Sequence, residues 1–184
     1  MNTNNPWKTL ASTEIYDNNW ISLTEHQVIN PNGGEGIYGE VHFKNYAIGI
    51  LPLDENHNTW IVGQYRYPIK AYSWEIIEGG GALGVDPVES AKRELVEESG
   101  ITANRFTEIQ RMHLSNSVSD ELAIIYLAQD LEMGKSSPEE TEELVIRKLH
   151  FNEAYQMVID GIITDSMSVA AILKVKILIQ ENKI

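Results

Sequence analysis

The chain has 184 residues, 27 acidic against 14 basic side chains, a formal net charge of -13 and no cysteine. The missing cysteines exclude disulfides, thiolate metal sites and thiol nucleophiles, and the acidity argues against binding to a nucleic-acid backbone. With 42% hydrophobic residues, the chain can build a core rather than remain disordered.

Met1–Leu10 is polar and carries no apolar h-region, so a cytoplasmic location is expected. Trp20–Ile29 alternates apolar and polar residues and predicts a strand. The turn cluster Asn30-Pro31-Asn32-Gly33-Gly34 and a returning strand over Ile37–Phe43 complete an expected N-terminal β-hairpin. Tyr46–Leu53 and Thr59–Arg66 predict two more strands around the polar turn at 54–58. A glycine-rich loop is expected over Gly79–Gly84. The next helix has Asp86 as cap, Pro87 at its first position, Glu89 at capping-box spacing and Gly100 as its stop.

Phe106–His113, Leu122–Ala128 and Leu144–Leu149 predict strands, with a polar acidic loop over Lys135–Thr141. Short and long helices follow over Asn152–Asp160 and Ser166–Gln180. The apolar stretch Val169–Ile179 is broken by Lys174 and Lys176, so no membrane span is expected. Strands and helices in this order predict an α/β fold of the α+β type, a mixed sheet between helices rather than a doubly wound one.

The helix carries the chemistry. Glu94, Glu97 and Glu98 stand three and four residues apart, so their carboxylates share one face, while Val88, Ala91 and Leu95 share the other. Like charges at these spacings cost a helix roughly 0.2–0.5 kcal/mol per pair. Such a face is either solvated acidic surface or the donor set of a hard divalent cation, which prefers oxygen ligands. The glycines before the helix let backbone groups approach a metal or phosphate closely.

From Gly79 to Ile101 the sequence resembles the Nudix box, Gly-x5-Glu-x7-Arg-Glu-U-x-Glu-Glu-x-Gly-U, with U a bulky aliphatic residue. Gly79, Arg93, Glu94, Leu95, Glu97, Glu98, Gly100 and Ile101 match eight of its nine defining positions, and Val85 replaces the first Glu. Gln64-Tyr65-Arg66-Tyr67-Pro68, Trp74-Glu75, Asp120-Glu121 and Tyr126-Leu127-Ala128 are similar to the subgroup that hydrolyses ADP-ribose and related nucleoside diphosphate sugars. The likeness covers the chain from about Trp20 onward.

The resemblance implies an α/β/α sandwich over 46–184 and an N-terminal β region over 1–45 that builds a homodimer. It implies Mg²⁺, or Mn²⁺, on Glu94, Glu97 and Glu98, with Arg93 orienting Glu94. Glu140 and Glu142 in the acidic loop are the candidates for general base and further metal contact. Glu78 stands where such relatives carry a small residue, and its backbone carbonyl is a candidate ligand. Its side chain is expected either to crowd the site or to add a ligand.

Arg66 is the candidate phosphate clamp, because a planar guanidinium suits bidentate anion contacts. Glu75 either pairs with Arg66 or contacts a ribose hydroxyl. Trp20 and Tyr38 are candidates for stacking on a nucleobase, although strand aromatics more often pack. The expected reaction converts ADP-ribose to AMP and ribose 5-phosphate. GDP-mannose or another sugar nucleotide is the alternative substrate, and a non-catalytic nucleotide-sugar-binding module the alternative role. The intact Arg93, Glu94, Glu97 and Glu98 set favours the enzyme.

Overall fold

The computed structural model describes residues 4–134 and 144–184. It divides into two units, the first formed by 1–45 with 113–121, the second by 46–112 with 122–184.

The first unit is an antiparallel meander of β1 (Lys8–Asp17), β2 (Ile21–Ile29) and β3 (Glu35–Phe43), in the order β1-β2-β3. It therefore has one strand more than the expected hairpin. All ten residues of β1 are exposed, so neither face imposes the apolar alternation by which a strand is read. The β2–β3 turn is held by Asn30, whose side chain accepts from the amides of Asn32 (2.9 Å) and Gly34 (3.2 Å), while Gly33 takes φ +85°.

Residues 113–121 dock on β3. The Val41 amide donates to Val118 O at 2.8 Å, and the Asp120 amide donates to Val41 O at 3.3 Å. The Tyr38 hydroxyl donates to Ser117 O at 2.6 Å, and Asp120 takes His42 Nδ1 (2.5 Å) and the Phe43 amide (2.9 Å). Burial raises the Asp120 carboxyl, but the His42 and Phe43 bonds outweigh it and leave the group below its ordinary value.

In the second unit, β4 (Asn45–Pro52), β7 (Ile77–Ala82), β8 (Ile101–His113) and β9 (Leu122–Met133) form a sheet ordered β7-β4-β9-β8. A further sheet, β10-β5-β6, is built from β5 (Asn58–Arg66), β6 (Ala71–Glu75) and β10 (Val145–His150). The pairing of β4 with β9 is parallel, from Ala47↔Ala123 to Pro52↔Ala128, whereas β5 pairs antiparallel with β6 and β10. Parallel and antiparallel pairings thus both occur in this unit, and the architecture is α+β, as the element order predicts.

The helices are α1 (Pro87–Ser99), α2 (Phe151–Ile159) and α3 (Ser166–Gln180). Helix α1 packs on β7, and α3 packs on β9 and α2. The core gathers Ile48 and Ile50 of β4, Trp60 and Val62 of β5, Ile77, Ala91, Leu95, Ile101, Ile124 and Tyr126. The central strands read as continuous apolar runs because both faces are covered.

The expected glycine loop is a correction. Gly79, Gly80 and Gly81 lie inside strand β7, and the turn comes only afterwards, with Gly84 at φ +84° and the Val85 amide bonded to Ala82 O at 3.2 Å. These glycines serve close packing rather than flexibility. A Cβ at Gly81 would stand 2.8 Å from Ile48 Cγ1. Strand β6 was not expected, and β8 begins at Ile101 rather than Phe106.

Candidate active site

Helix α1 begins as its sequence predicts. Asp86 is extended and accepts from the Val88 amide at 3.1 Å, Pro87 opens the first turn, and Gly100 ends the helix at φ +70°. Its apolar residues Ala91 and Leu95 are fully buried. Of the three carboxylates, Glu94 reaches β7 at Gly79, Glu98 is buried and Glu97 stands partly exposed.

Arg93 joins helix to strand. Its Nη2 donates to Gly80 O at 2.8 Å and forms an ion pair with Glu94, while its Nε lies 3.7 Å from Glu97. Glu94 lies directly over Gly79: a Cβ added there would overlap the Glu94 carboxylate. Glycine is therefore required at position 79 for Glu94 to reach the strand. Glu98 is buried at 2% exposure, unusual for a carboxylate on a helix surface.

Among the described residues no three His, Asp or Glu side chains already converge closely enough to hold a metal ion. The donor chemistry nevertheless fits one: three carboxylates on one face, with a glycine strand that lets backbone carbonyls approach. The Arg93 guanidinium contacts both Glu94 and Glu97.

On the other face of β7 lies a second polar group. Arg66 donates to Glu75 through Nε (3.0 Å to each carboxylate oxygen) and Nη2 (2.6 Å), a bidentate pair. Glu75 is buried at 3%, so the pairing alternative for this residue is the one the structure displays. Glu78 Oε2 lies 4.0 Å from Arg66 Nη2, and Glu78 Oε1 accepts from the Ser168 hydroxyl at 3.1 Å.

The Glu78 side chain thus leaves the strand on the face opposite Glu94, because neighbouring strand residues alternate. It neither crowds the carboxylate face nor adds its carboxylate to it. Burial first, and then the negative charge of Asp165, push the Glu78 carboxyl well above the ordinary range. A cavity of about 420 Å³ beside this group is lined by Arg66, Ser73, Glu75 and Asp165 among others.

Trp20 and Tyr38 belong to the first unit. Trp20 is 64% exposed and immediately precedes β2. Tyr38 lines a cavity of about 330 Å³ with Trp7, His26 and Glu40, and meets Trp7 edge to face at 5.3 Å. Val85, the departure from the box, is 47% exposed. Glu140 and Glu142 lie outside the described residues. Sequence reasoning did not find Asp165, Ser168 or Trp7. Asp165 and Ser168 carried one readable signal, a helix cap with its partner three residues on.

Comparison with known proteins follows the same division. The model of the nucleoside diphosphate sugar hydrolase N-terminal domain matches residues 7–41, and the NUDIX domain matches residues 44–161. The chain belongs to the Nudix family. This Nudix hydrolase is 28% identical over 180 residues to an ADP-ribose pyrophosphatase of Bacillus subtilis (strain 168), covering 96% of the chain and 97% of that protein. It is 30% identical over 172 residues to an ADP-ribose pyrophosphatase of Mycobacterium tuberculosis (strain ATCC 25618 / H37Rv), covering 92% and 83%. A methanol dehydrogenase activator of Bacillus methanolicus is 27% identical over 167 residues, covering 90% of each.

In fold, the Nudix chain superposes on the crystal structure of an ADP compounds hydrolase with a TM-score of 0.87 at 19% identity, covering 99% of this chain and 98% of that one. It is thus a Nudix enzyme of the ADP-ribose pyrophosphatase-like group. Nudix hydrolases generally use divalent metal ions, which agrees with the donor chemistry of α1.

Proposed function

We propose that the enzyme hydrolyses the pyrophosphate bond of a nucleoside diphosphate sugar, with ADP-ribose as substrate and AMP and ribose 5-phosphate as products. Water adds to one phosphorus, the bridging P–O bond breaks, and the bridging oxygen leaves with the other phosphate. The observation that carries this reading is the Gly79–Arg93–Glu94 junction, where a helix of carboxylates meets a glycine strand through one guanidinium. The names of the two pyrophosphatase relatives support the choice of substrate.

In this reading Glu94, Glu97, Glu98, the Glu78 carbonyl and Glu142 hold Mg²⁺, which Mn²⁺ can replace. A hard cation there offsets pyrophosphate charge and acidifies water. Arg93 orients Glu94, and Glu140 or Glu142 takes the proton from water. Arg66, held in place by Glu75, presents its remaining donors to a phosphate oxygen. Trp20 and Tyr38 stack on the base, and the N-terminal sheet forms a homodimer.

The test is a panel of ADP-ribose, GDP-mannose and other sugar nucleotides with Mg²⁺ or Mn²⁺, read by product chromatography. Release of AMP from ADP-ribose as the preferred reaction is expected. Preference for GDP-mannose would reassign the substrate. No hydrolysis across the panel would leave a nucleotide-sugar-binding module, the reading that Val85 would then favour.

A further inference from the structure

Ser168 is fully buried on the otherwise apolar inner face of α3, beside Met167, Ala171, Ile172 and Val175. Alanine would pack there equally well, so the hydroxyl calls for an account. Asp165 caps the helix and accepts from the Ser168 amide at 2.8 Å, which fixes the first turn of α3. From that turn the Ser168 hydroxyl accepts from the Ile76 amide at 2.9 Å and donates to Glu78 Oε1 at 3.1 Å.

Ile76 is the single residue between β6 and β7. It is the point at which the chain leaves the β10-β5-β6 sheet and enters the β7-β4-β9-β8 sheet. A buried amide at such a junction needs a partner, and strand pairing is interrupted there. Ser168 supplies that partner, and its second bond reaches the next residue but one. Gly79 and Gly80, which meet Glu94 and Arg93, follow at once.

We infer that Ser168 is a positioning residue for the metal-binding face: its hydroxyl pins the sheet-to-sheet junction at Ile76 and Glu78, and so sets where β7 presents the Glu78 carbonyl and the Gly79–Gly80 backbone to α1. The inference rests on the proposed metal reading of Glu94, Glu97 and Glu98. It differs from a purely structural role in what it says of metal affinity. Loss of the hydroxyl lets β7 shift relative to α1, and an outer-shell loss of this kind weakens metal binding about tenfold or more.

The experiment is Mn²⁺ titration of the full-length protein followed by electron paramagnetic resonance, which reads binding without turnover. Ser168→Ala should raise the Mn²⁺ Kd about tenfold, and Ser168→Thr, which keeps the hydroxyl, should recover most of the loss. If Ser168→Ala does not fold, the near-isosteric Ser168→Cys takes its place with the same expectation. A lowered Tm with an unchanged Mn²⁺ Kd overturns the inference, as does a wild type that binds no Mn²⁺. If the Kd moves as expected but no sugar nucleotide is hydrolysed, the hydrolase reading fails and the positioning role stands.

Discussion

Glu97 stands partly exposed on α1, with Arg93 Nε 3.7 Å away. Glu97→Gln removes a charge while keeping shape, so its effect reports ligation rather than packing. If the side chain holds a metal, kcat should fall at least about a hundredfold with Tm almost unmoved; a rate within threefold of wild type would remove Glu97 from the ligand set. Gly79→Ala asks the complementary question of the backbone. The new methyl would occupy the place of the Glu94 carboxylate, so Glu94 must leave the strand. Overpacking of this kind costs about 1–3 kcal/mol, and both Tm and kcat should drop. Retained activity would mean that Glu94 works from another rotamer. Val85→Glu restores the missing box residue in an exposed turn, and its rate is expected to stay within threefold of wild type.

At the scale of elements, the structure separates what local sequence can reveal from what it cannot. Helix α1 was legible because its signals are local: Asp86, Pro87 and Gly100 bound it, and the carboxylates fall on one face by spacing alone. Strand β1 was not, since both its faces are exposed and it has no alternation to read. The glycines of β7 hid a strand because residues without side chains show no period. Ser168 and Glu78 meet across 90 residues, and no pattern within either segment announces the other. The β4–β5 turn shows local chemistry with a measurable consequence. Asp54 accepts from the Asn58 side-chain Nδ2 (2.9 Å) and from the backbone amides of Asn58 (2.7 Å) and Asn56 (2.9 Å), and lies 3.2 Å from Lys148 Nζ. Burial raises its carboxyl, but these bonds, led by Asn58, outweigh burial and hold it below its ordinary value. The folded state therefore favours the ionised form. The resulting stability is present above the unfolded carboxyl's pKa and is lost as pH falls through the lower folded value. Urea unfolding across the acid range should show Asp54→Asn less stable than wild type near neutrality, with a shallower loss on acidification; parallel acid limbs would refute the assignment.

For the whole molecule, the charge of -13 and the anionic substrate proposed for it are reconciled by position. In the proposed function, the carboxylates concentrated on α1 would gather cations, and a gathered cation would reverse the local sign toward pyrophosphate. The proposed dimer belongs to the same scale. Leu10, Ile15, Tyr16, Trp20 and Ile37 of the first unit are all at least half exposed, Ile37 most at 71%. These exposed apolar side chains of one small unit are the surface proposed here for contact with a second copy of the chain. Sedimentation at micromolar concentration should give twice the 20.8 kDa chain mass. Ile37 pairs across strands with Gln27 and contributes little to the fold's interior, so Ile37→Glu should leave Tm within a few degrees. If Ile37 lies in the dimer contact, burying its new charge without a partner opposes association, and the variant should shift toward monomer. A wild type that sediments only at 20.8 kDa would refute the dimer. A dimer indifferent to Ile37→Glu would move the contact away from this surface.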